Sequence, residues 1–443
     1  MELNINSFPN RIFNITDYGA TVSDKEQTEA IQSTIDACFL AGGGRVVVPM
    51  GVFRTGGLRL RSGVMLYLES GAVLKGSRDP EAYFSYKNDK IEPIEEYDGE
   101  KRGSVYPYSR WNNAVIRVLN AKNVAIIGEK GSYIDGSNCY DEIGEEKYRG
   151  PHAINIQDSE NILLDGYNII DSSNWAHAIF KTNNIVARNL TVYGGHDGFD
   201  VRTCDNVLIE NCEFYTGDDC VAGFDNHDVV IRNCIFDCAC SALRFGGNNV
   251  LIENCKSYAP SCFGFRGQLS NEKKALGLAT DDTCRHSMQM VFNYYCDFRA
   301  EIRKAPGEIL IRNCEFNNPN SLMRLDFDGS HIWCCNRSLS SIKFENCKVN
   351  GVSAPIYIHG DKDEPLKLEL ENVEITAREG FENEDFIQAL NYSSISLDKV
   401  NVNGYTAPKM LLRSEGNITL TDTTKIEVVR SGEMKVENNA PIA

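Results

Sequence analysis

Asn206-Val207-Leu208-Ile209-Glu210-Asn211-Cys212 is a short alternating apolar stretch that ends on Asn-Cys, and the chain repeats it. DVVIRNC follows at Asp228 to Cys234, NVLIENC at Asn249 to Cys255, EILIRNC at Glu308 to Cys314 and SIKFENC ending at Cys347; NVAIIGE (Asn123 to Glu129) and NIVARNL (Asn184 to Leu190) precede them. From Asn189 to Asn211, Asn233 and Asn254 the steps are 22, 22 and 21 residues. A unit of this size, with β-branched strands and no long helical pattern, cannot bury its apolar face alone, so successive units must stack. The leucine spacing of a leucine-rich repeat is missing. The period therefore predicts an all-β fold, a single-stranded right-handed parallel β-helix (solenoid), with the Asn and Cys at inward or turn positions stacked about 4.8 Å apart. The longer steps from Asn254 to Asn313 and from Asn313 to Asn346 predict lateral loops.

An open solenoid end exposes unpaired strand edges, so a cap is expected. Ser23-Asp24-Lys25-Glu26 reads as a capping box, followed by the helical spacing Ala30, Ile31, Thr34, Ile35, Cys38, and Gly42-Gly43-Gly44 stops the helix. With no linker or low-complexity run in 443 residues, one domain is expected over 1–443. Within it, 1–75 reads as N-terminal cap and first coils, 76–111 as a lateral loop, 112–361 as central coils with the site, and 362–443 as C-terminal coils or covering strands. The loop is charged and aromatic, with Tyr83, Phe84, Tyr86, Tyr106 and Tyr108; the stretch from Gln268 to Phe298, with His286, Tyr294 and Tyr295, reads as a second.

The formal net charge is −17. Such a field repels phosphate backbones and anionic lipid, so neither nucleic acid nor membrane is an expected partner. No run reaches the roughly 18 apolar residues of a membrane span, and MELNINSFPN shows no export signal, so the expected location is cytoplasmic. There the sixteen Cys are expected as reduced core thiols. Cys238-Ala-Cys240 and Cys334-Cys335 lack the paired context of a zinc site; no metal and no cofactor are expected.

Laying the period over the polar residues isolates one column. Asp197 lies in Gly195-His196-Asp197-Gly198-Phe199-Asp200, Asp219 lies 22 residues on in Gly217-Asp218-Asp219-Cys220, and Ser241 a further 22 on. Stacked carboxylates repel, and a fold tolerates them mainly where a metal, a shared proton or a reaction needs them. Glycosidic cleavage needs one protonated and one ionised carboxyl, and crowding separates their pKa values. Arg244 and Arg266, also 22 apart, predict a second column able to hold sugar carboxylates.

These residues also resemble a known family. FNITDYGATVSDKEQTEAIQSTIDACFLAGGGRVVVPMGVFRTGGLRL, Tyr133-Ile134-Asp135-Gly136, Arg149-Gly150-Pro151 and Ser172-Ser173-Asn174-Trp175 are similar to successive segments of the polygalacturonase-like enzymes, family 28 of the glycoside hydrolases, within the pectate-lyase-like β-helix superfamily. Gly217 to Cys220 matches that family's Gly-Asp-Asp-Cys motif completely, and Gly195-His196-Asp197-Gly198 resembles its Asn-Thr-Asp-Gly. The resemblance, from about residue 12 to about 350, implies that Asp218 is the general acid and that Asp197 and Asp219 position and deprotonate the attacking water, with inversion. Ser241 stands where the family has the His of Gly-His-Gly. Arg266-Gly267-Gln268 keeps the Arg of Arg-Ile-Lys and places Gln268 at the lysine. Expected substrate-binding residues are thus Arg244, Arg266, His196, Ser241 and Gln268, with a pectic or uronate-containing oligosaccharide or polysaccharide as partner. Other readings of Asp218-Asp219 are a solvated turn or a calcium site, Arg244 and Arg266 could be structural ion pairs, and Trp175 could be core or a stacking platform. A β-elimination lyase, an epimerase or an inactive carbohydrate-binding β-helix uses the same scaffold.

Overall fold

Each repeat of the phrase supplies one strand of a coil, and the residues between phrases supply two more. The computed structural model describes residues 4–84, 89–92, 109–276, 278, 283–327 and 333–431. One coil contains the strands Phe199–Arg202, Asp205–Glu210 and Glu213–Thr216. Each pairs in parallel 22 residues on: Phe199 opposite Val221, Asp205 opposite His227, Glu213 opposite Ile235. The result is a right-handed parallel β-helix with three rows of strands. One row forms its own sheet; the other two are joined where Val221–Arg232 and Ser241–Glu253 run through the corner without a break.

The phrase is punctuated by asparagine because its corners need a left-handed backbone. Asn189, Asn211, Asn233, Asn254, Asn313 and Asn346 have φ between 53° and 56°, which Asn tolerates better than most residues. Their side chains also bond along the stack, Asn233 Nδ2 to Asn211 Oδ1 at 3.2 Å and Asn372 Nδ2 to Asn346 Oδ1 at 2.7 Å. The first Asn of the phrase forms a second ladder at the other corner, Asn184 to Asn161 at 2.9 Å and Asn206 to Asn184 at 3.0 Å. Asn is thus the turn residue, and the cysteine after it points inward: Cys212, Cys234, Cys255, Cys314 and Cys347 are buried. All sixteen cysteines are free thiols.

The helix Thr28–Leu40 buries Ile31, Thr34, Ile35 and Cys38 and packs on the first strands. The expected capping box does not form. The helix starts at Thr28 after Gln27, with no side-chain cap, because Ser23 Oγ is engaged in the preceding turn, accepting from Lys25 N–H at 3.3 Å and Gln27 Nε2 at 3.0 Å. At the other end, strands from Leu366 to Arg430 continue the same parallel rows. They are further coils.

The long steps hold excursions. The chain leaves after Tyr258, returns as the strand Met290–Tyr294, and leaves again before Gly307. In the 76–111 segment Tyr83 and Phe84 are buried, with Tyr83 Oη donating to Ser77 O at 2.6 Å, so these two rings pack into the flank and add no exposed aromatic surface. Tyr86, Tyr106 and Tyr108 lie outside the described residues. Among the described residues no helix is long and apolar enough to cross a membrane.

The asparagine corners make a prediction. Asn233→Ala keeps the turn only with a left-handed alanine, at a cost of about 1–2 kcal/mol, whereas Asn233→Gly loses the ladder bond without that strain. Thermal unfolding followed by circular dichroism should rank wild type above glycine and glycine above alanine; an alanine variant as stable as the glycine one would mean that φ does not govern this corner.

Candidate active site

The turn from the third row of strands back to the first carries the acidic residues. Gly195–Gly198 fills it in one coil, between Gly194 and Phe199, and Gly217–Cys220 in the next, between Thr216 and Val221. Main-chain bonds continue through these turns: Gly198 N–H donates to Asp219 O and Cys220 N–H to Ser241 O, both at 3.0 Å. Asp197, Asp219 and Ser241 therefore stand in one column. The strand register extends it backward through Trp175 to His152. Gly198 is required here, because a Cβ would lie 2.5 Å from the Phe214 ring and 2.6 Å from Cys220 O.

Asp197 and Asp219 are 4% and 1% exposed, while Asp218 is half-buried and reaches solvent. Asp219 Oδ1 accepts the Ser241 N–H at 2.8 Å; Oδ2 has no hydrogen-bond partner and lies 3.7 Å from Arg244 Nη1. Burial pushes all three carboxyls above the ordinary range. Asp197 is pushed up hardest, with Asp218 and Asp219 adding repulsion. Asp218 raises Asp219, while Arg244 pulls it back, and Arg149 and Arg244 do the same for Asp218. Burial and, for Asp197 and Asp219, the neighbouring carboxyls thus favour the protonated form at this cluster. Asp218, Asp219 and Cys240 have ligand atoms within 4.8 Å of one another and could together hold a metal ion, although Arg149 and Arg244 oppose a cation there.

The other expected site residues separate. Arg244, in register with Ala222 and Asn293, places its guanidinium 4.1 Å from the Tyr295 ring centroid and 5.3 Å from that of Trp333. The expected Arg244–Arg266 column is not formed: the chain has left the coil by residue 259, so Asn293 takes the place beside Arg244, and Arg266 sits on the short 3-10 turn Arg266–Gln268. Arg266 Nη2 instead donates to Asn138 Oδ1 at 2.6 Å. Its side chain lies across Gly195, where a Cβ would be 2.1 Å from Nε, so the missing side chain at 195 is what admits it. Gln268 is exposed, and its side-chain carbonyl accepts the Arg285 N–H within the same excursion. Ser241 is 1% exposed with an unpartnered hydroxyl. His196 is buried, and burial with Arg266 and Arg149 nearby holds its pKa well below the usual value, so it stays neutral. Trp175 belongs to neither expected class cleanly: with Trp111, Ala178 and Phe180 it forms a cluster separate from the main core, and Arg202 stacks on its ring at 4.6 Å.

Sequence reasoning missed Arg149, Tyr148 and Lys274 as site residues. Tyr148 and Arg149 come from the turn before the strand His152–Gln157, and Lys274 from the helix Asn271–Ala275 in the later excursion. No period connects them; only the Arg-Gly-Pro step signalled Arg149.

Known proteins resemble this chain in sequence and in fold. Residues 93–240 match the family model "Glycosyl hydrolases family 28". The chain is 28% identical over 224 residues to a probable polygalacturonase of Vitis vinifera, covering 48% of this chain and 43% of that protein. It is 27% identical over 259 residues to an exo-poly-alpha-D-galacturonosidase of Dickeya chrysanthemi, covering 48% and 41%. The matched stretches span less than half the length of these relatives. The crystal structure of a hyperthermoactive exopolygalacturonase from Thermotoga maritima superposes with a TM-score of 0.67 at 19% identity, over 91% of this chain and 94% of that one, which shows a shared fold. Taken with the intact Gly-Asp-Asp-Cys turn, these matches make the chain similar over its central part to glycosyl hydrolase family 28, on a shared β-helix fold.

Proposed function

We propose that this protein is a glycoside hydrolase that cleaves a pectic or related uronate-containing oligosaccharide, with Asp218 as general acid and Asp197 and Asp219 holding and deprotonating the attacking water. The cluster of three carboxyls, Asp197 and Asp219 in one column with Asp218 beside it, carries the reading. One protonated and one ionised carboxyl on a common face is the requirement of glycosidic cleavage. The assignment to Asp218 rests on access: it alone of the three reaches solvent, and a buried acid cannot meet a leaving oxygen. Inversion follows from the family resemblance. An acidic sugar is supported by Arg244, which is held between two rings beside Asp219 with no hydrogen bond to a described residue.

Action from a chain end is the second part of the proposal. Arg266 and Lys274, from the excursion after Tyr258, reach back to Asn138 and Tyr148, and a bridge so placed would stop a long sugar chain from running on past the carboxyls. A blocked groove admits a chain end; an open one admits a polymer.

Three measurements test this function. Asp218→Asn should lower kcat by about 10³ or more while leaving the fold and sugar binding intact, with reducing-sugar assays and anomeric NMR as readouts; turnover near wild type would remove Asp218 from the chemistry, and an unsaturated, ultraviolet-absorbing product would mean a lyase. On polygalacturonan, early release of mono- or disaccharide with little loss of viscosity is expected, and a rapid viscosity drop would contradict end-cutting. The third concerns stability. Because the folded pKa of Asp197 is raised, the stability its neutral form contributes is complete below the unfolded value near 3.8 and is lost as pH rises through the folded value. Asp197→Asn, neutral throughout, should therefore unfold roughly 1–3 °C higher than wild type at pH 7, with the gain vanishing near pH 4. A gain independent of pH would place its origin elsewhere than in the buried charge.

A further inference from the structure

Cys240 stands over Asp218 as Ser241 stands over Asp219. The strand partners Thr216 with Cys238 and Val221 with Leu243 bracket turns of equal length, so each residue of Gly217–Cys220 meets the one 22 positions later. Asp218 and Cys240 are both half-buried. Cys240 Sγ and one carboxylate oxygen each of Asp218 and Asp219 all lie within 4.8 Å of one another. The proposed hydrolysis makes no use of this thiol, and Cys240-Ser241-Ala242 stands where the resembling family has Gly-His-Gly, so the thiol belongs to this chain and not to that motif. Two buried polar atoms are also left over at the same spot. Asp219 Oδ2 and the Ser241 hydroxyl have no hydrogen-bond partner, on residues that are each 1% exposed, and the Ser241 side chain acts on Asp219. An unpaired buried polar group costs about 1–3 kcal/mol, and an ion held between the thiol and the two carboxyls would relieve it.

We propose that Asp218, Asp219 and Cys240 form a binding site for a thiophilic divalent cation of the zinc class, and that an ion held there silences the two carboxyls for hydrolysis. Binding is independent of the proposed hydrolysis; its effect on turnover rests on that reading of Asp218 and Asp219. Zinc bonds to sulfur at about 2.3 Å and to carboxylate oxygen at about 2.0–2.2 Å, so its tetrahedral ligands sit about 3.3–3.7 Å apart and the group has to close by about 1 Å. Asp218 and Cys240 have solvent on one side in which to turn. A fourth position stays open to water or to the Ser241 hydroxyl. Arg149, Arg244 and Arg285 act on the three ligands, and they decide which cation enters. An ion held by charge alone gains too little against three guanidiniums. Zinc and cadmium displace the thiol proton and gain a thiolate bond, whereas calcium and magnesium prefer oxygen and leave the thiol protonated. Each ion bound releases to solvent the Cys240 proton and any proton that the two carboxyls hold. Asp218 in that complex has no proton to give to a leaving oxygen.

Cobalt(II) takes the place of zinc and reports a thiolate ligand by a charge-transfer band in the near ultraviolet. The full chain, first treated with a chelator, should develop that band on titration with Co2+, lose it to Zn2+, and unfold at a higher temperature when Zn2+ is present. Calcium and magnesium should do neither. Cys240→Ala should remove the band and weaken zinc binding by about a hundredfold, since even partners outside a ligand shell are worth roughly 10–100-fold in metal affinity. Cys240→Ser, which keeps the shape of the side chain, should do the same, whereas Cys262→Ala, at the exposed cysteine, should change nothing; circular dichroism checks each fold. The site is overturned if no thiolate band appears, if the band survives in the Cys240 variants, if it is lost with Cys262→Ala, or if calcium competes as well as zinc. At a zinc concentration about ten times its dissociation constant, pectic turnover by the wild-type chain should fall about tenfold and return with chelator. Undiminished turnover in the zinc-saturated chain overturns the silencing. The hydrolase reading fails in a different way: zinc bound through Cys240 in a chain that cleaves no pectic fragment keeps the site and sinks the reaction.

Discussion

Parallel main-chain hydrogen bonds tie each central coil to the one 22 residues later, and they leave little freedom in what stacks on what. A strand that slipped by one residue would turn its interior side chains to the surface and its surface side chains inward. The register therefore has to be held at every corner. Asparagine does this at both corners of several coils, adopting the left-handed backbone that the turn requires and bonding to the asparagine below. With coil length constant, Phe214 stacks on Phe236 inside the helix, with ring centroids 6.0 Å apart, and on the same principle Asp197 stands over Asp219.

The column is therefore imposed by the ladder, and it works against stability. Burial raises all three carboxyls, their neighbours add repulsion for Asp197 and Asp219, and the surroundings offset this only in part: the Ser241 N–H and Arg244 for Asp219, Arg149 and Arg244 for Asp218. Asp197 receives least and is raised most. Uneven relief is useful, because identical environments would give three acids of equal strength, and acid–base chemistry needs them to differ.

Positive charge is concentrated near the carboxyls of a chain that is acidic overall. Arg149, Arg266 and Lys274 gather on one side of the carboxyls and Arg244 on the other, within a surface whose overall field points the opposite way. The gathering is possible because the chain departs from the coil. Excursions are free of the register, so they can carry a side chain across several coils, as Arg266 does to reach Asn138, 128 positions earlier in the chain.

The sequence by itself determined what repeats. The 22-residue phrase specified the β-helix, the stacking of its Asn and Cys at inward or turn positions and the column of Asp197, Asp219 and Ser241, because parallel stacking converts a constant interval in the chain into adjacency in space. Tertiary structure decided what does not repeat. Arg244 and Arg266 share the same 22-residue interval but never meet, since the chain leaves the coil between them. Ser23 has the spacing of a helix cap but is used by the turn before it. Tyr148, Arg149 and Lys274 meet only because a turn and an excursion fold over the same face, and no interval in a sequence encodes the path of a loop through solvent to a distant partner.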